Sequence, residues 1–332
     1  MSRTAQRARW VQRVVRFMDD PTAEDFGELA LALHQWQRQH DPVIDALTVH
    51  TPDRWRDIPC VPVALFKQLP VGTVPAAVDA TIFRTSGTTG GGRGEHRMVD
   101  TCVYDHGAVA HYRRCVADAP ARIVALLSDP TLTPDSSLSH MVRLFASPTQ
   151  TSWHWNDAVD RRSLEDALAV GQPVFVATTA FALAEWLDGP VPELPAGSVV
   201  MTTGGFKGRV HRLEGDVLYA EARARLKPQR LVTEYGMTEL SSQLWGTPDT
   251  AYRPPHWMRV VAVDPATGER CGPDQAGQLR FFDLANVDST MGIETMDQGV
   301  VHADGSVTLH GRLEGAPARG CSLTVEEAWQ KR

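Results

Sequence analysis

The segment richest in potential chemistry is a glycine-rich stretch, RTSGTTGGGRGEH, which runs from Arg84 to His96. Glycines allow neighbouring backbone N–H groups to point into one concavity, and hydroxyl side chains add donors, a combination that suits phosphate oxygens. A plain linker would not need the hydroxyl residues that precede the main glycine cluster, which are Thr85, Ser86, Thr88 and Thr89. The stretch therefore predicts a phosphate-binding loop, with a flexible turn between Phe83 and Met98 as the alternative.

The stretch departs from the Walker phosphate loop. The spacing from Gly87 to Gly92 fits the G-x-x-x-x-G part of that motif. However, Arg93 and Gly94 follow where the motif requires Lys and then Ser or Thr. The Walker interpretation fails at both diagnostic positions.

Four segments further along the chain, in the expected order, resemble signatures of the adenylate-forming enzymes, the superfamily of acyl-CoA synthetases and peptide-synthetase adenylation domains. They are TTGGFKGR (202–209), TEYGMTE (233–239), ETMDQG (294–299) and GRLEG (311–315). The glycine-rich stretch resembles the phosphate loop of the same superfamily. Three more segments are similar to the acyl-protein synthetases of bacterial bioluminescence, namely VPVALFK (61–67), SSLSHM (136–141) and RGCSL (319–323). The resemblance covers most of the chain.

The resemblance implies ATP and Mg²⁺ as cofactors and gives each motif a role. Residues that would cradle the β- and γ-phosphates are Thr85, Ser86, Gly87, Thr88 and Thr89, with Arg93 neutralising the charge. Residues that would line the nucleotide site are Gly204, Gly205, Phe206, Tyr235, Gly236 and Met237. Thr238 would bond the α-phosphate and Glu239 would ligate Mg²⁺. Asp297 would accept the ribose hydroxyls, and Arg312 would approach the ribose or a phosphate.

Further residues are expected near the acid substrate. His96 would contact phosphate, whereas His140, Gly205 and Lys207 would lie against the carboxylate or the acyl chain. A hydrogen-bonded core histidine is an equal alternative for both histidines. Tyr235 has the alternative of an ordinary core aromatic residue, and Asp297 that of a turn residue. The aromatic run Trp153 to Trp155 either lines an acyl tunnel or packs in the core.

Two departures from the superfamily pattern shape the expected mechanism. Arg93 stands where Lys is usual, which keeps the charge but replaces a point charge with a planar fork. The chain ends 17 residues after Gly315, so the mobile C-terminal domain with its catalytic lysine is expected to be absent. Cys321, close to Arg319, is then the expected acyl acceptor, because a nearby cation favours the nucleophilic thiolate. The alternative is a thiol that only packs against its surroundings.

Composition excludes several classes of protein. The 332 residues carry a net charge of −7 and are 42% hydrophobic, which disfavours both nucleic-acid binding and disorder. The N-terminus lacks the apolar core of a secretory signal, and the chain has no uninterrupted membrane-spanning apolar run. A cytoplasmic protein is expected. Five scattered cysteines without a C-x-x-C pair argue against disulfides and zinc, and Cys102 and Cys115 are expected in the core.

The elements that must position these motifs follow from hydrophobic periodicity. Apolar residues at helical spacing predict helices up to about Gln39. Buried strands are predicted at 123–128, 173–177 and 198–202, alternating with helices at 163–170, 180–188 and 211–225. From Trp257 onwards, turn dipeptides between short β-type runs predict hairpins. The fold class is therefore α/β, the N-terminal domain of an adenylate-forming enzyme, with covered, mostly parallel sheets and a smaller β-rich subdomain. Three regions are expected in one catalytic unit, at 1–80, 81–255 and 256–332.

Together these features predict an AMP-forming acid–thiol ligase. It would activate a fatty or other carboxylic acid, carry the acyl group on Cys321 and deliver it to an acyl reductase partner. One alternative is a ligase that uses coenzyme A or an acyl carrier protein, with a separate subunit supplying the missing domain. The other is a catalytically silent nucleotide-binding subunit.

Overall fold

The computed structural model describes residues 2–75, 77–85, 92–204 and 215–313, and this part of the chain contains eight α-helices and fourteen β-strands. The helices are α1 (Arg3–Asp19), α2 (Phe26–Arg38), α3 (Pro42–Leu47), α4 (Cys102–Cys115), α5 (Ser137–Arg143), α6 (Arg161–Leu168), α7 (Ala180–Leu187) and α8 (Asp216–Leu226). The strands are β1 (Val61–Pro62), β2 (Thr81–Arg84), β3 (Glu95–Met98), β4 (Ile123–Leu126), β5 (Thr151–Trp153), β6 (Phe175–Thr179), β7 (Val199–Thr203), β8 (Arg230–Tyr235), β9 (Leu244–Thr247), β10 (Thr250–Arg253), β11 (Met258–Val263), β12 (Ala276–Asp283), β13 (Gly292–Val301) and β14 (Val307–Arg312).

The predicted N-terminal helices are confirmed and form an amphipathic pair. The side chain of Asp25 accepts hydrogen bonds from the backbone N–H groups of Gly27 and Glu28, which caps the start of α2. Val14, Phe17 and Met18 of α1 pack with Leu29 and Leu33 of α2 in one buried cluster, which also includes residues of β11 and β12. The helices therefore cover the antiparallel part of the sheet.

Five strands form the parallel part of the sheet, in the order β5-β4-β6-β7-β8. Helices α6, α7 and α8 pack on one face around Val124, Val176 and Val200, and α4 and α5 pack on the other around Phe175 and Met201. Burial on both faces explains the nearly continuous apolar runs of these strands. The predicted strands and helices are confirmed here, with ends shifted by a few residues.

The chain beyond β8 is antiparallel. The strand order continues from β8 through β9, β10, β14, β13 and β12 to β11, and the contact between β10 and β14 is a single pair, Tyr252 and Val307. Gly305, with φ 82°, lies in the Asp-Gly turn that joins β13 to β14. The predicted hairpins and the α/β fold class are confirmed, whereas the three-region division remains a prediction.

The two cysteines of α4 lie at its opposite ends and differ in exposure. The expected core position of Cys102 is wrong, because this residue begins α4 on its solvent side and is exposed. Cys115, at the other end of the helix, is partly buried. None of the helices in the described ranges combines the length and apolar character needed to cross a bilayer.

Asp288 fastens the N-terminal helices to the sheet. Its carboxylate accepts bonds from Arg7 Nε at 2.6 Å and Arg7 Nη2 at 2.7 Å, and one from the Val99 backbone N–H at 2.9 Å. The Asp288 side chain is 4% exposed and that of Arg7 is 15% exposed. Water therefore screens this pair far less than a surface pair.

We expect Asp288→Ala to lower the free energy of unfolding by about 3 kcal/mol, the lower end for a broken buried pair, because the largely buried Arg7 guanidinium keeps only its ion pair with the half-exposed Asp100. Urea denaturation at neutral pH measures the change. The matched control is Asp45→Ala, which removes an exposed partner of Arg38 and is expected to cost less than about 1 kcal/mol. Equal losses in the two variants would contradict this view of Asp288.

Candidate active site

A hairpin holds the two ends of the glycine-rich stretch together. Strands β2 and β3 pair with Phe83 opposite His96 and Arg84 opposite Glu95. Beyond the last pair, the Thr85 N–H donates to the Gly94 carbonyl at 2.9 Å, and the Gly94 N–H donates to Thr85 Oγ1 at 2.8 Å. The hairpin base is thus fixed by both backbone and hydroxyl contacts. The remaining predicted loop residues, Ser86, Gly87, Thr88 and Thr89, lie outside the described residues.

Arg93 lies at the base of this loop. Its Nη1 forms an ion pair with Asp135 at 2.6 Å, and its Nε donates to the Thr85 carbonyl at 2.6 Å. The Arg84 N–H donates to the Asp135 carbonyl at 2.9 Å, so Asp135 braces both the arginine and the strand. Asp135 has no motif signature, and sequence reasoning missed it. The guanidinium is therefore oriented by the protein, with 39% of the side chain exposed.

His96 connects the hairpin to the segment that follows β8. It is fully buried, and its Nδ1 lies 2.7 Å from the Thr238 carbonyl. A carbonyl only accepts, so Nδ1 carries the proton and Nε2 presents a lone pair. Burial lowers the pKa of His96 and keeps the ring neutral. Nε2 is buried and has no hydrogen-bond partner among the described residues.

Tyr235, Asp297 and Arg312 form a buried cluster at the carboxyl end of β8. The Tyr235 hydroxyl donates to Asp297 Oδ2 at 2.6 Å, and Arg312 Nε lies 3.2 Å from Asp297 Oδ1. Asp297 and Arg312 are direct register partners on β13 and β14. The alternative of a turn residue for Asp297 is wrong, since it lies inside β13 and is fully buried. The Tyr235 ring stacks on Phe281 with centroids 5.6 Å apart, so it also packs in the core.

The segment between β8 and β9 carries three more predicted residues, Met237, Thr238 and Glu239, all buried. Asn286 fixes its path by donating to the Glu239 carbonyl at 2.9 Å and accepting from the Ser241 N–H at 2.8 Å. This brace also escaped sequence reasoning. The predicted Mg²⁺ ligand Glu239 is not part of a larger cluster, because the described residues contain no group of three or more His, Cys, Asp or Glu arranged to hold a metal.

Glu234 lies directly before Tyr235 and was not singled out by sequence analysis. It is buried, pairs in register with Thr203 on β7, and accepts a hydrogen bond from the Thr203 hydroxyl. A Cβ at Gly236 would lie 2.5 Å from its Oε1, so a larger residue at this position would displace the buried Glu234 carboxyl. Burial raises the pKa of Glu234 to about 7.

The second glycine-rich turn begins beside this carboxyl group. Gly204 directly follows Thr203 and has a φ of 71°, a conformation that favours glycine. The register of β7 and β8 therefore places the start of TTGGFKGR next to TEYGMTE. Gly205, Phe206 and Lys207 lie outside the described residues.

His140 lies on α5 and uses both ring nitrogens within the protein. Its Nε2 is 2.7 Å from Asp105 and its Nδ1 is 2.9 Å from Arg143 Nη2. The ring packs against Phe83 and Tyr104 with centroids 5.1 and 5.6 Å away. These are the contacts of a hydrogen-bonded core histidine, and a role in substrate binding remains a prediction. Of the aromatic run at 153–155, Trp155 is buried in the core.

The structure thus brings the predicted residues together in two groups. One is the hairpin base with Arg93 and His96, which reaches Thr238 through the histidine. The other is the Tyr235, Asp297 and Arg312 cluster. Cys321 lies outside the described residues, so its relation to either group is a prediction.

The buried carboxyl of Glu234 makes stability depend on pH. Its pKa rises from 4.5 to about 7 on folding, so its stabilising contribution is complete below pH 4.5 and is lost as the pH rises through 7. Between pH 5 and pH 8 we expect wild type to lose about 2 to 3 kcal/mol relative to Glu234→Gln. Urea unfolding across this range measures the difference. The exposed control Glu193→Gln is expected to differ from wild type by the same free energy at every pH. The same constant difference for Glu234→Gln would contradict a raised pKa of Glu234.

Comparisons with known proteins come from sequence and from structure. No protein-family model matches the chain. A curated relative, luciferin 4-monooxygenase of Photuris pensylvanica, is 34% identical over 77 residues, which are 21% of this chain and 14% of that protein.

Solved structures share the architecture. O-succinylbenzoate coenzyme A synthetase (MenE) from Bacillus subtilis, in complex with AMP, matches 71% of this chain and 50% of its own, with a TM-score of 0.50 and 17% identity. MatB from Rhodopseudomonas palustris, bound to ATP, matches 72% and 49%, with a TM-score of 0.50 and 17% identity. The luciferase-like enzyme of the mealworm Zophobas morio matches 75% and 63%, with a TM-score of 0.53 and 16% identity.

The chain spans about half the length of the first two structures and 63% of the third. At these identities the likeness concerns the fold. The described chain has, as predicted, the α/β fold of the N-terminal domain of adenylate-forming enzymes.

Proposed function

We propose that this protein uses ATP to convert a carboxylic acid, of the fatty acid class, into an acyl-adenylate and then carries the acyl group as a thioester on Cys321 for delivery to a partner reductase. The observation that carries the first half is the buried Tyr235, Asp297 and Arg312 cluster at the carboxyl end of a parallel strand. Ligands of open α/β sheets bind at this edge. Structures of the same fold contain AMP and ATP.

The cluster suits the nucleoside part of ATP. A fully buried carboxylate between a tyrosine hydroxyl and a guanidinium is held in one orientation, and an ionised carboxylate has lone pairs for further donors. Vicinal ribose hydroxyls are donors of the right kind. Gly236 has no side chain of its own to stand between its backbone and a flat base.

The hairpin and the segment after β8 suit the phosphates and their metal. Mg²⁺ is commonly held by one or two carboxylates together with substrate phosphates, so a single buried Glu239 fits that ion without a larger cluster. Magnesium supplies neutralisation of phosphate charge when it is bound with the nucleotide. Arg93, oriented by Asp135, adds a planar fork, and the neutral His96 offers its Nε2 lone pair to a hydroxyl or water donor.

In the activation step the protein positions the acid and ATP and forms no covalent bond to either. One carboxylate oxygen of the acid attacks the α-phosphorus, the bond from that phosphorus to pyrophosphate breaks, and pyrophosphate leaves with the electron pair. The Thr238 hydroxyl would bond an α-phosphate oxygen, while Arg93 and the loop donors hold the departing group. These contacts favour the transition state because they are fixed before the reaction.

The second half of the proposal concerns the thiol. The Cys321 thiolate would attack the acyl carbon, the carbon–oxygen bond to AMP would break, and AMP would leave. Other cysteines are weaker candidates. Burial raises the pKa of Cys60 to about 12 and also raises that of Cys115, and partial desolvation together with the neighbouring Asp100 carboxylate raises the pKa of the exposed Cys102 to about 11. Cys271 remains as the comparison thiol.

Two alternative functions predict different requirements for turnover. A ligase that transfers the acyl group to coenzyme A or a carrier protein is favoured by the coenzyme A synthetases among the structural neighbours, and it requires an added acceptor thiol for turnover. A catalytically silent nucleotide-binding subunit would bind ATP without exchanging pyrophosphate. The identity of the acceptor separates the first alternative from transfer to Cys321.

Acid-dependent exchange of labelled pyrophosphate into ATP tests the activation step. Screened across chain lengths and aromatic acids, wild type is expected to exchange with at least one acid, and Asp297→Asn to exchange at least about tenfold more slowly, because a charge-assisted contact to the ribose is lost. Asp249→Asn, at an exposed pair with Arg223, is the matched control. ATP binding without exchange under any acid would favour the silent subunit.

Labelling tests the acceptor. Incubation with ATP and a radiolabelled acid that supports exchange is expected to leave a hydroxylamine-labile label on wild type and on the controls Cys102→Ser and Cys271→Ser, but not on Cys321→Ser. The reason is that only a thioester at Cys321 gives this pattern. Retention of the label by Cys321→Ser would exclude this cysteine as the acceptor.

A further inference from the structure

A cavity is lined by none of the residues assigned to the nucleotide. It has a volume of about 970 Å³ and opens between the end of α4, the start of β8, strands β9 to β11 and the turn after β13. Arg230, the first residue of β8, lines it, whereas Tyr235 is the last residue of the same strand. Five strand residues span about 17 Å. Arg230 and the Tyr235 cluster therefore lie at opposite ends of β8, and the cavity extends from Arg230 along β9 to Trp245, which pairs with Glu234.

Four arginines line this cavity, Arg114, Arg230, Arg253 and Arg259, and Asp304 is the one carboxylate among the described lining residues. In the described part of the chain none of the four lies within ion-pair distance of a carboxylate. Arg114 bonds His256 Nδ1 at 2.9 Å, and Arg259 bonds the carbonyls of His256 and Met258 at 2.7 and 3.0 Å. We call this feature the arginine cavity.

Arg230 differs from the other three arginines in the hydrogen bonding of its guanidinium group. Its Nη2 is buried and has no hydrogen-bond partner in the described ranges. A buried charged donor without a partner costs free energy, and a bound anion would remove that cost. Burial lowers the pKa of His111 to about 4 and also lowers that of His256, so the charge of the cavity comes from its arginines.

This arrangement contrasts with the rest of the protein. The whole chain has a net charge of −7. Eight arginines elsewhere in the described chain lie against carboxylates, whereas others, such as Arg161 and Arg225, bond backbone carbonyls. The eight are Arg7, Arg13, Arg38, Arg54, Arg84, Arg93, Arg223 and Arg280. Acidic partners are thus available to arginines on an acidic protein, yet the arginine cavity has gathered four cations and one carboxylate.

The walls of the cavity are apolar. Val116, Val232, Trp245, Met258 and Val260 line it and are buried. Its volume is in the range that encloses small organic ligands and exceeds what a lone inorganic anion needs. Guanidinium forks recognise carboxylate and phosphate oxygens, and the apolar wall suits a hydrocarbon or aromatic body.

We infer that the arginine cavity binds a small organic anion, with its phosphate or carboxylate group on Arg230 and Arg253 and its apolar body against Trp245. Phosphate and carboxylate share the oxyanion chemistry that this site reads. The inference does not rest on the proposed adenylation, because it uses none of the residues assigned to the nucleotide.

Isothermal titration calorimetry tests the site with four probes: octyl phosphate, octanoate, octanol and inorganic phosphate. At least one of octyl phosphate and octanoate is expected to bind wild type roughly tenfold more tightly than octanol or inorganic phosphate. Only these two probes combine an anionic head group with a hydrocarbon chain. Comparison of octyl phosphate with octanoate identifies the preferred head group.

Arg230→Met and the more exposed Arg253→Met are each expected to weaken binding of the preferred anion roughly tenfold, since each loses a charge-assisted contact. Arg54→Met, which removes an exposed partner of Asp57, is the matched control and is expected to bind the anion as wild type does. ATP binding, measured alongside, is expected to be unchanged in all three variants. Equal anion affinity in wild type and both cavity variants, or no preference for the anions over octanol, would overturn the inference.

Discussion

The buried carboxylate of Asp297 is the constraint on which the rest of the site depends. A buried carboxylate needs partners for its oxygens, and here Tyr235 provides a hydrogen bond and Arg312 an ion pair. The two partners come from different parts of the sheet, one from the parallel strand β8 and one from the antiparallel strand β14. Satisfying Asp297 therefore fixes how the two parts meet, and it does so where a nucleotide would bind.

The other site elements are held to that junction by backbone contacts. His96 bonds the Thr238 carbonyl, three residues after Tyr235, and so links the hairpin of β2 and β3 to β8. The Thr203 and Glu234 pair aligns the ends of β7 and β8, from which the two downstream motifs begin. Motifs far apart in the sequence thus become neighbours because strand register and buried hydrogen bonds leave them few alternatives.

The features that could be predicted from the sequence are those that depend on local residue patterns. Apolar periodicity located the parallel strands and their covering helices, and the resemblance of two segments to those of adenylate-forming enzymes singled out Tyr235 and Asp297. Sequence reasoning missed Asp135 and Asn286, because a brace acts through a contact between distant residues and leaves no spacing of its own. It misplaced Cys102, because which side of a helix end meets solvent is decided by tertiary packing. Glu234 was hidden beside a recognised motif, and only its burial against Thr203 gives it significance.

The central claim is that a carboxylate oxygen becomes bonded to the α-phosphorus of ATP. The most direct test uses an acid whose carboxylate carries ¹⁸O, with mass spectrometry of the nucleotide and phosphate products after acyl transfer to a thiol. Attack on the α-phosphorus followed by cleavage at the acyl carbon predicts one ¹⁸O atom in AMP and none in pyrophosphate. Recovery of ¹⁸O in inorganic phosphate together with ADP, or AMP without ¹⁸O, would contradict the account.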